Sequence, residues 1–81
     1  MKVTIIGKPG CHLCEVAENV VQDLIAGSEI EFEKLSILDD PKLSARYSEE
    51  IPVIMIDGKV HDIFRVDEKR FLTAIGNGST R

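Results

Sequence analysis

At 81 residues the chain has room for one hydrophobic core and too little length for a second. Apolar residues at 43% and charged residues at 30% are ordinary for a folded domain, so a single domain is expected over residues 1–76, followed by a frayed tail at 77–81. A net charge of −4 gives no electrostatic reason to bind nucleic acid or an anionic membrane, and no apolar run approaches the roughly 20 residues that span a bilayer.

Val3 to Ile6 is a short apolar run rich in β-branched residues and stopped by Gly7 and Pro9-Gly10, which predicts a buried parallel strand. The segment from Met1 to Gly7 is too brief for the apolar core of a signal peptide, so a cytoplasmic location is expected. In a reducing compartment the two cysteines, Cys11 and Cys14, point to catalysis or metal binding rather than to a structural staple. From Leu13 the apolar positions fall at Val16, Ala17, Val20, Val21, Leu24 and Ile25, the stripe of a helix with one buried face. Gly27 closes that helix from the C′ position.

Ile30 and Phe32 alternate with Glu31 and Glu33, but Leu35 and Ile37 then fall out of phase. This predicts a second strand that ends early, bends or carries a bulge. Asp39-Asp40-Pro41 sets capping carboxylates ahead of an N1 proline, and Leu43, Ala45 and Tyr47 allow a short helix after it. Val53 to Ile56, then Asp57-Gly58, then Lys59 to Phe64 predicts a hairpin around a two-residue type I′ turn. Asp67 caps a last helix whose Phe71, Leu72 and Ile75 face the sheet before Gly76 ends it. The order β-α-β-α-β-β-α joins a parallel βαβ half, with its right-handed crossover, to an antiparallel hairpin half. The expected class is α/β, with a four-stranded mixed sheet flanked by helices.

Cys11-His12-Leu13-Cys14 lies where the first strand hands over to the first helix. Cys11 falls just before or at the helix N-terminus, where unpaired N–H groups and the positive end of the macrodipole favour a thiolate. The dipole alone gives ~0.3–1 kcal/mol at an exposed site, so N–H···S bonds or nearby cations must add to it. Lys8 and His12 are the candidate cations. Cys14, one turn on, shares the face with Cys11 and should be more buried, which suits a resolving thiol that attacks a mixed disulfide. Glu50-Ile51-Pro52 precedes the strand expected to pack beside the first. A cis Ile51-Pro52 bond would bring that loop towards Cys11 and leave the Ile51 main chain free to pair with an extended substrate.

Other readings of the same residues exist. Two inert core thiols are one. A zinc site built from Cys11, Cys14, His12 and His61 is another, but His12 lies between the cysteines and no second close pair exists, so no metal is assigned. His61 is expected to be a polar strand residue facing solvent, Tyr47 a packing residue, and Glu49-Glu50 a solvated edge.

Together, Lys8-Pro9-Gly10-Cys11-His12-Leu13-Cys14, Ile51-Pro52-Val53 and Asp57-Gly58 resemble the glutaredoxin-like members of the thioredoxin-fold superfamily, over Val3 to about Ile75. The resemblance implies a thioredoxin-like, glutaredoxin-type fold. It matches Cys11 to the attacking thiol, Cys14 to the resolving thiol, Pro52 to the cis-proline, and Lys8 to a basic residue often found ahead of the first cysteine. It implies a small thiol-disulfide oxidoreductase that reduces protein or low-molecular-weight disulfides, as a monomer and with no bound cofactor. Electrons would come from glutathione or from a flavoprotein of the thioredoxin-reductase type.

The chain departs from that pattern at the glutathione site. Glutaredoxins usually carry threonine-valine-proline at the loop and a Gly-Gly turn with a polar capping residue before the last helix. Here the loop is Glu50-Ile51-Pro52, and the stretch from Val60 to Glu68 has no glycine pair. Asp67 and Glu68 already charge the helix N-terminus negatively, and Glu49 and Glu50 add to this near the loop, so the glutathione site is incomplete. The alternative from another class is a non-enzymatic binding module of the same fold, which uses the Pro52 edge to dock a partner or to hold a metal between subunits. The two intact cysteines argue against it.

Overall fold

The central strand, β1 (Lys2–Gly7), lies between β2 (Glu31–Ser36), to which it is parallel, and β3 (Val53–Ile56), to which it is antiparallel; β4 (Lys59–Ile63) completes a mixed sheet of order β2-β1-β3-β4. Three helices, α1 (His12–Ile25), α2 (Pro41–Tyr47) and α3 (Glu68–Ser79), connect or follow the strands in the expected order. The computed structural model describes the backbone of residues 1–79 and the side chains of residues 1–76.

Val3 to Ile6 are all buried because both faces of β1 are covered, as a central parallel strand requires. On one face Val3 and Ile5 meet Ala17, Val21 and Ile25 of α1, with Phe71 and Ile75 of α3. On the other, Ile6 packs with Ile37 and Val53, flanked by Leu43 and Tyr47 of α2.

The two-faced sheet also explains where β2 departs from expectation. This strand neither ends early nor bulges: it pairs with β1 in unbroken register from Lys2 opposite Glu31 to Gly7 opposite Ser36. Phe32 packs against the α1/α3 core, whereas Leu35 joins the core under α2. Strand alternation is intact; apolar groups simply switch sides part-way along, because each face has its own core to fill. The irregularity lies instead in the hairpin, where Ile54 faces Asp62 but Met55 faces Val60, leaving His61 as the extra residue of a bulge.

The hairpin turn is as expected, with Asp57 at φ 50° and Gly58 at φ 84°, both left-handed as a type I′ turn demands. β4 stops at Ile63, one residue short of the expected Phe64. Helix α1 is buried through Cys14, Ala17, Val21 and Ile25, a narrower stripe than the sequence suggested, and Leu13 and Val16 remain exposed. Gly27, at φ 82°, follows its C-cap as expected.

Asp67 caps α3, its Oδ1 accepting the Arg70 N–H at 3.1 Å. Phe71 and Ile75 enter the core, but Leu72 stays exposed rather than facing the sheet. Nor does Gly76 end α3, which runs on to Ser79. Glycine weakens a helix interior by only ~1 kcal/mol and stops it only where the backbone turns left-handed. The frayed tail expected at 77–81 falls on residues whose side chains, and beyond Ser79 whose backbone, lie outside the described residues. Among the described residues, no helix is long and apolar enough to cross a membrane.

Candidate active site

The chain leaves β1 at Gly7, turns through Lys8-Pro9-Gly10 and enters α1 with Cys11 as its N-cap. Gly10 takes φ 78°, a left-handed step that glycine makes at no steric cost, and the turn is closed by the Cys11 N–H donating to the Lys8 carbonyl at 3.4 Å. Cys11 then does with sulfur what Ser or Asp does with oxygen: its Sγ accepts the Cys14 N–H at 3.3 Å. The sulfur therefore sits on the positive end of α1, held by a donor that binds an anionic acceptor more strongly than a neutral one.

Both cysteines are free thiols, and their environments differ. Cys11 is partly exposed, while Cys14 is 1% exposed. Burial, and after it the hydrogen bond that its thiol shares with Cys11, push the Cys14 thiol from an ordinary 9.0 up to about 11; the charges of Cys11 and Glu18 add to the rise, and a Lys8 backbone bond opposes it. At neutral pH Cys14 is therefore a protonated, covered thiol one helical turn behind an accessible sulfur. The two thiols are told apart by access: Cys11 is partly open to solvent and Cys14 is covered.

Gly7 has a role that was not read from the sequence, where it figured only as a strand terminator. A Cβ at this position would lie 2.7 Å from Cys14 Sγ and 3.0 Å from Cys14 Cβ, closer than real side chains approach. The absence of a side chain on the last residue of β1 is what lets Cys14 settle against the sheet. A glycine ending the strand that leads into a C-x-x-C pair was the available signal.

Across the sheet, Ile6 is paired with Val53, so Pro52, the residue before β3, lies at the same end as Gly7. The Ile51-Pro52 peptide bond is cis and Pro52 is buried. The Pro52 carbonyl accepts the Phe64 N–H at 2.8 Å, tying the end of β4 to the loop. Ile51 is half-buried, and among the described residues no hydrogen bond uses its main-chain N–H or C=O.

Lys8 and His12 lie beside the cysteines, but neither side chain forms a hydrogen bond or ion pair among the described residues, and both are exposed. Lys8 acts here through its backbone: its carbonyl accepts the Cys11 N–H, and a backbone hydrogen bond reaches the Cys14 thiol. His61 corrects the expectation of a solvent-facing residue. The β4 bulge turns its ring edge-on to Phe71, with centroids 6.0 Å apart, and its Nε2 is buried without a hydrogen-bond partner. No cluster of three or more His, Cys, Asp or Glu among the described residues is placed to hold a metal ion.

Between β4 and α3, where glutaredoxins usually carry a glycine pair, Phe64 adopts φ 73° and exposes about half its surface (49%). For a bulky residue this backbone costs on the order of 1–3 kcal/mol. A groove of about 640 Å³ lies at the opposite end of the sheet from the cysteines, lined by Met1, Leu24, Ile30, Leu72 and Ile75 among others.

The chain is similar in sequence and fold to known proteins over nearly its whole length. Residues 2–76 match the glutaredoxin-like domain (DUF836). The chain is 29% identical over 86 residues to the uncharacterized protein Rv0508 of Mycobacterium tuberculosis, covering 96% of this chain and 86% of that protein. Among solved structures, the structural-genomics target XcR50 from X. campestris superimposes with a TM-score of 0.73 at 24% identity, covering 93% of this chain and 96% of that one. E. coli glutaredoxin gives a TM-score of 0.61 at 16% identity over 96% of both chains, a likeness of fold.

Proposed function

Because the chain belongs to the glutaredoxin-like domain family, we propose that it is a small thiol-disulfide oxidoreductase that works through Cys11 and Cys14. The observation that carries this reading is the asymmetry of the pair: an accessible sulfur capping a helix N-terminus, backed by a buried protonated thiol.

In the reductive direction the Cys11 thiolate attacks one sulfur of a substrate disulfide. A Cys11–substrate disulfide forms, the substrate S–S bond breaks, and the departing thiolate takes a proton from water. Cys14 then loses its proton and attacks Cys11 Sγ, forming the Cys11–Cys14 disulfide and releasing the second substrate thiol. The short reach from Cys14 to Cys11 makes this step intramolecular. Two electrons and two protons from an external thiol or dithiol donor return both cysteines to the reduced state.

The donor is proposed to be a dithiol system, such as a flavoprotein reductase of the thioredoxin type, rather than glutathione. An anionic tripeptide would meet Asp67 on the α3 N-terminus and exposed Glu49 and Glu50 ahead of the loop. The oxidised protein should be incubated with glutathione, and separately with a thioredoxin reductase and NADPH, while free thiols are counted. Return of two thiols per chain with the reductase system, and little with glutathione, is expected. Efficient reduction by glutathione alone would overturn the donor assignment, and absence of disulfide turnover with any donor would overturn the enzyme itself.

A further inference from the structure

We propose that Phe64 is a specificity-determining residue, one that suits the site to disulfides carried in extended polypeptide and turns it from glutathione. This rests on the oxidoreductase reading above and names the substrate class of the same site.

Phe64 is held where phenylalanine is least at ease. Its φ of 73° belongs to a region that glycine enters freely and bulky residues avoid, and folding does not reward the choice by burying the ring, which is 49% exposed. A large apolar side chain kept in an unfavourable backbone and left in solvent points to something outside the core that uses it.

Its position says what that is. The Phe64 N–H donates to the Pro52 carbonyl at 2.8 Å, so the residue is pinned to the loop that starts β3. That loop adjoins Val53, paired with Ile6 next to Gly7, on whose bare Cα Cys14 rests. Ile51, next to Pro52 in that loop, is half-buried, with both main-chain groups unpaired among the described residues. An extended segment can satisfy those groups as one strand satisfies another, and its side chains then need apolar contacts on either side. Phe64 supplies one at the end of β4 and the exposed Leu13 another beside Cys11 on α1.

The same surroundings disfavour glutathione, which brings two carboxylates and a net negative charge. The N–H groups opening α3 would be a natural seat for a carboxylate, but Asp67 already takes the Arg70 N–H at 3.1 Å and Glu68 adds charge to that turn. Glu49 and Glu50, both exposed, lie just ahead of Ile51. The occupant committed to here is a disulfide in an extended polypeptide with an apolar residue beside its cysteine.

The test compares kcat/KM for the full chain and for Phe64→Gly and Phe64→Leu on three disulfides: insulin, a peptide–glutathione mixed disulfide, and uncharged bis(2-hydroxyethyl) disulfide. Phe64→Gly is expected to lose about tenfold or more on insulin, the scale of one lost apolar contact. It should keep its rate on the hydroxyethyl disulfide and gain on the glutathione adduct, while Phe64→Leu retains most of the insulin rate. Circular dichroism reports the fold of each variant. An unchanged insulin rate in Phe64→Gly, or an equal loss on all three disulfides, overturns the role of Phe64 and leaves the oxidoreductase standing. If the unmodified chain reduces none of the three, the enzyme reading fails and this inference with it.

Discussion

Cys14 Sγ rests on the bare Cα of Gly7: a methyl group at Gly7 would come within 2.7 Å of that sulfur. The contact couples the last residue of β1 to the first turn of α1, and so to the spacing between the two thiols. Gly7→Ala needs no unusual backbone, which makes its effect purely steric. It is expected to destabilise the reduced protein by about 1–3 kcal/mol, the usual cost of overpacking, and to slow resolution so that mixed disulfide on Cys11 accumulates. Thermal unfolding and mass spectrometry of quenched reactions read the two effects. Wild-type stability and wild-type resolution in this variant would mean that Cys14 is not seated on Gly7.

The raised Cys14 thiol makes stability depend on alkaline pH. Unfolded, the thiol ionises from an ordinary 9.0; folded, it holds its proton up to about 11. Stability from this source is fully present below about pH 9 and is lost as pH climbs to about 11, because only the unfolded chain gains by releasing the proton over that window. The loss is on the order of 2–3 kcal/mol. Urea titrations across pH 8–11 should show it as a difference between the reduced protein and Cys14→Ser. Parallel curves for the two proteins would contradict the assignment.

Asp67 joins fold stability to ligand exclusion. Removing the cap in Asp67→Ala is expected to cost about 0.5–2 kcal/mol, and Asp67→Asn less, since the amide oxygen can still accept the Arg70 N–H. Denaturant midpoints measure both. Equal losses in the two variants would show that charge, rather than the cap hydrogen bond, matters at that terminus.

His61 presents the opposite case, a polar group that the fold does not use. Its Nε2 is buried without a partner while its ring packs on Phe71. His61→Phe keeps an aromatic edge against Phe71 and removes the unpaired nitrogen, so its stability is expected to equal or exceed that of the parent by up to about 1 kcal/mol. A loss of similar size in urea unfolding would mean that the imidazole has a partner it needs.

What the sequence disclosed and what it withheld divide along physical lines. The hairpin turn, the Asp67 cap and the Cys11 position were legible because each rests on a local rule about one backbone conformation or one hydrogen bond. The course of β2 was not, since Leu35 and Ile37 fall out of phase only if a single core is assumed, and two cores flank this sheet. His61 was misplaced for a related reason: a bulge rotates every side chain beyond it, and nothing in Lys59 to Ile63 marks which residue is the extra one. Leu72 and Val16 obey helical spacing yet stay exposed, because how wide a stripe is covered depends on the neighbouring element. Gly7 and Phe64 escaped notice as parts of the site because their roles are contacts between distant segments, with Cys14 and with Pro52.

The central claim is that Cys11 makes the first attack and Cys14 the second. Cys11→Ser and Cys14→Ser should each be mixed with a peptide disulfide near neutral pH, quenched in acid and weighed. Cys14→Ser is expected to collect one substrate adduct per chain on Cys11 and hold it, while Cys11→Ser, left with a buried and protonated thiol, collects none. Adduct on Cys14 at a comparable rate, or on neither cysteine, would contradict the account.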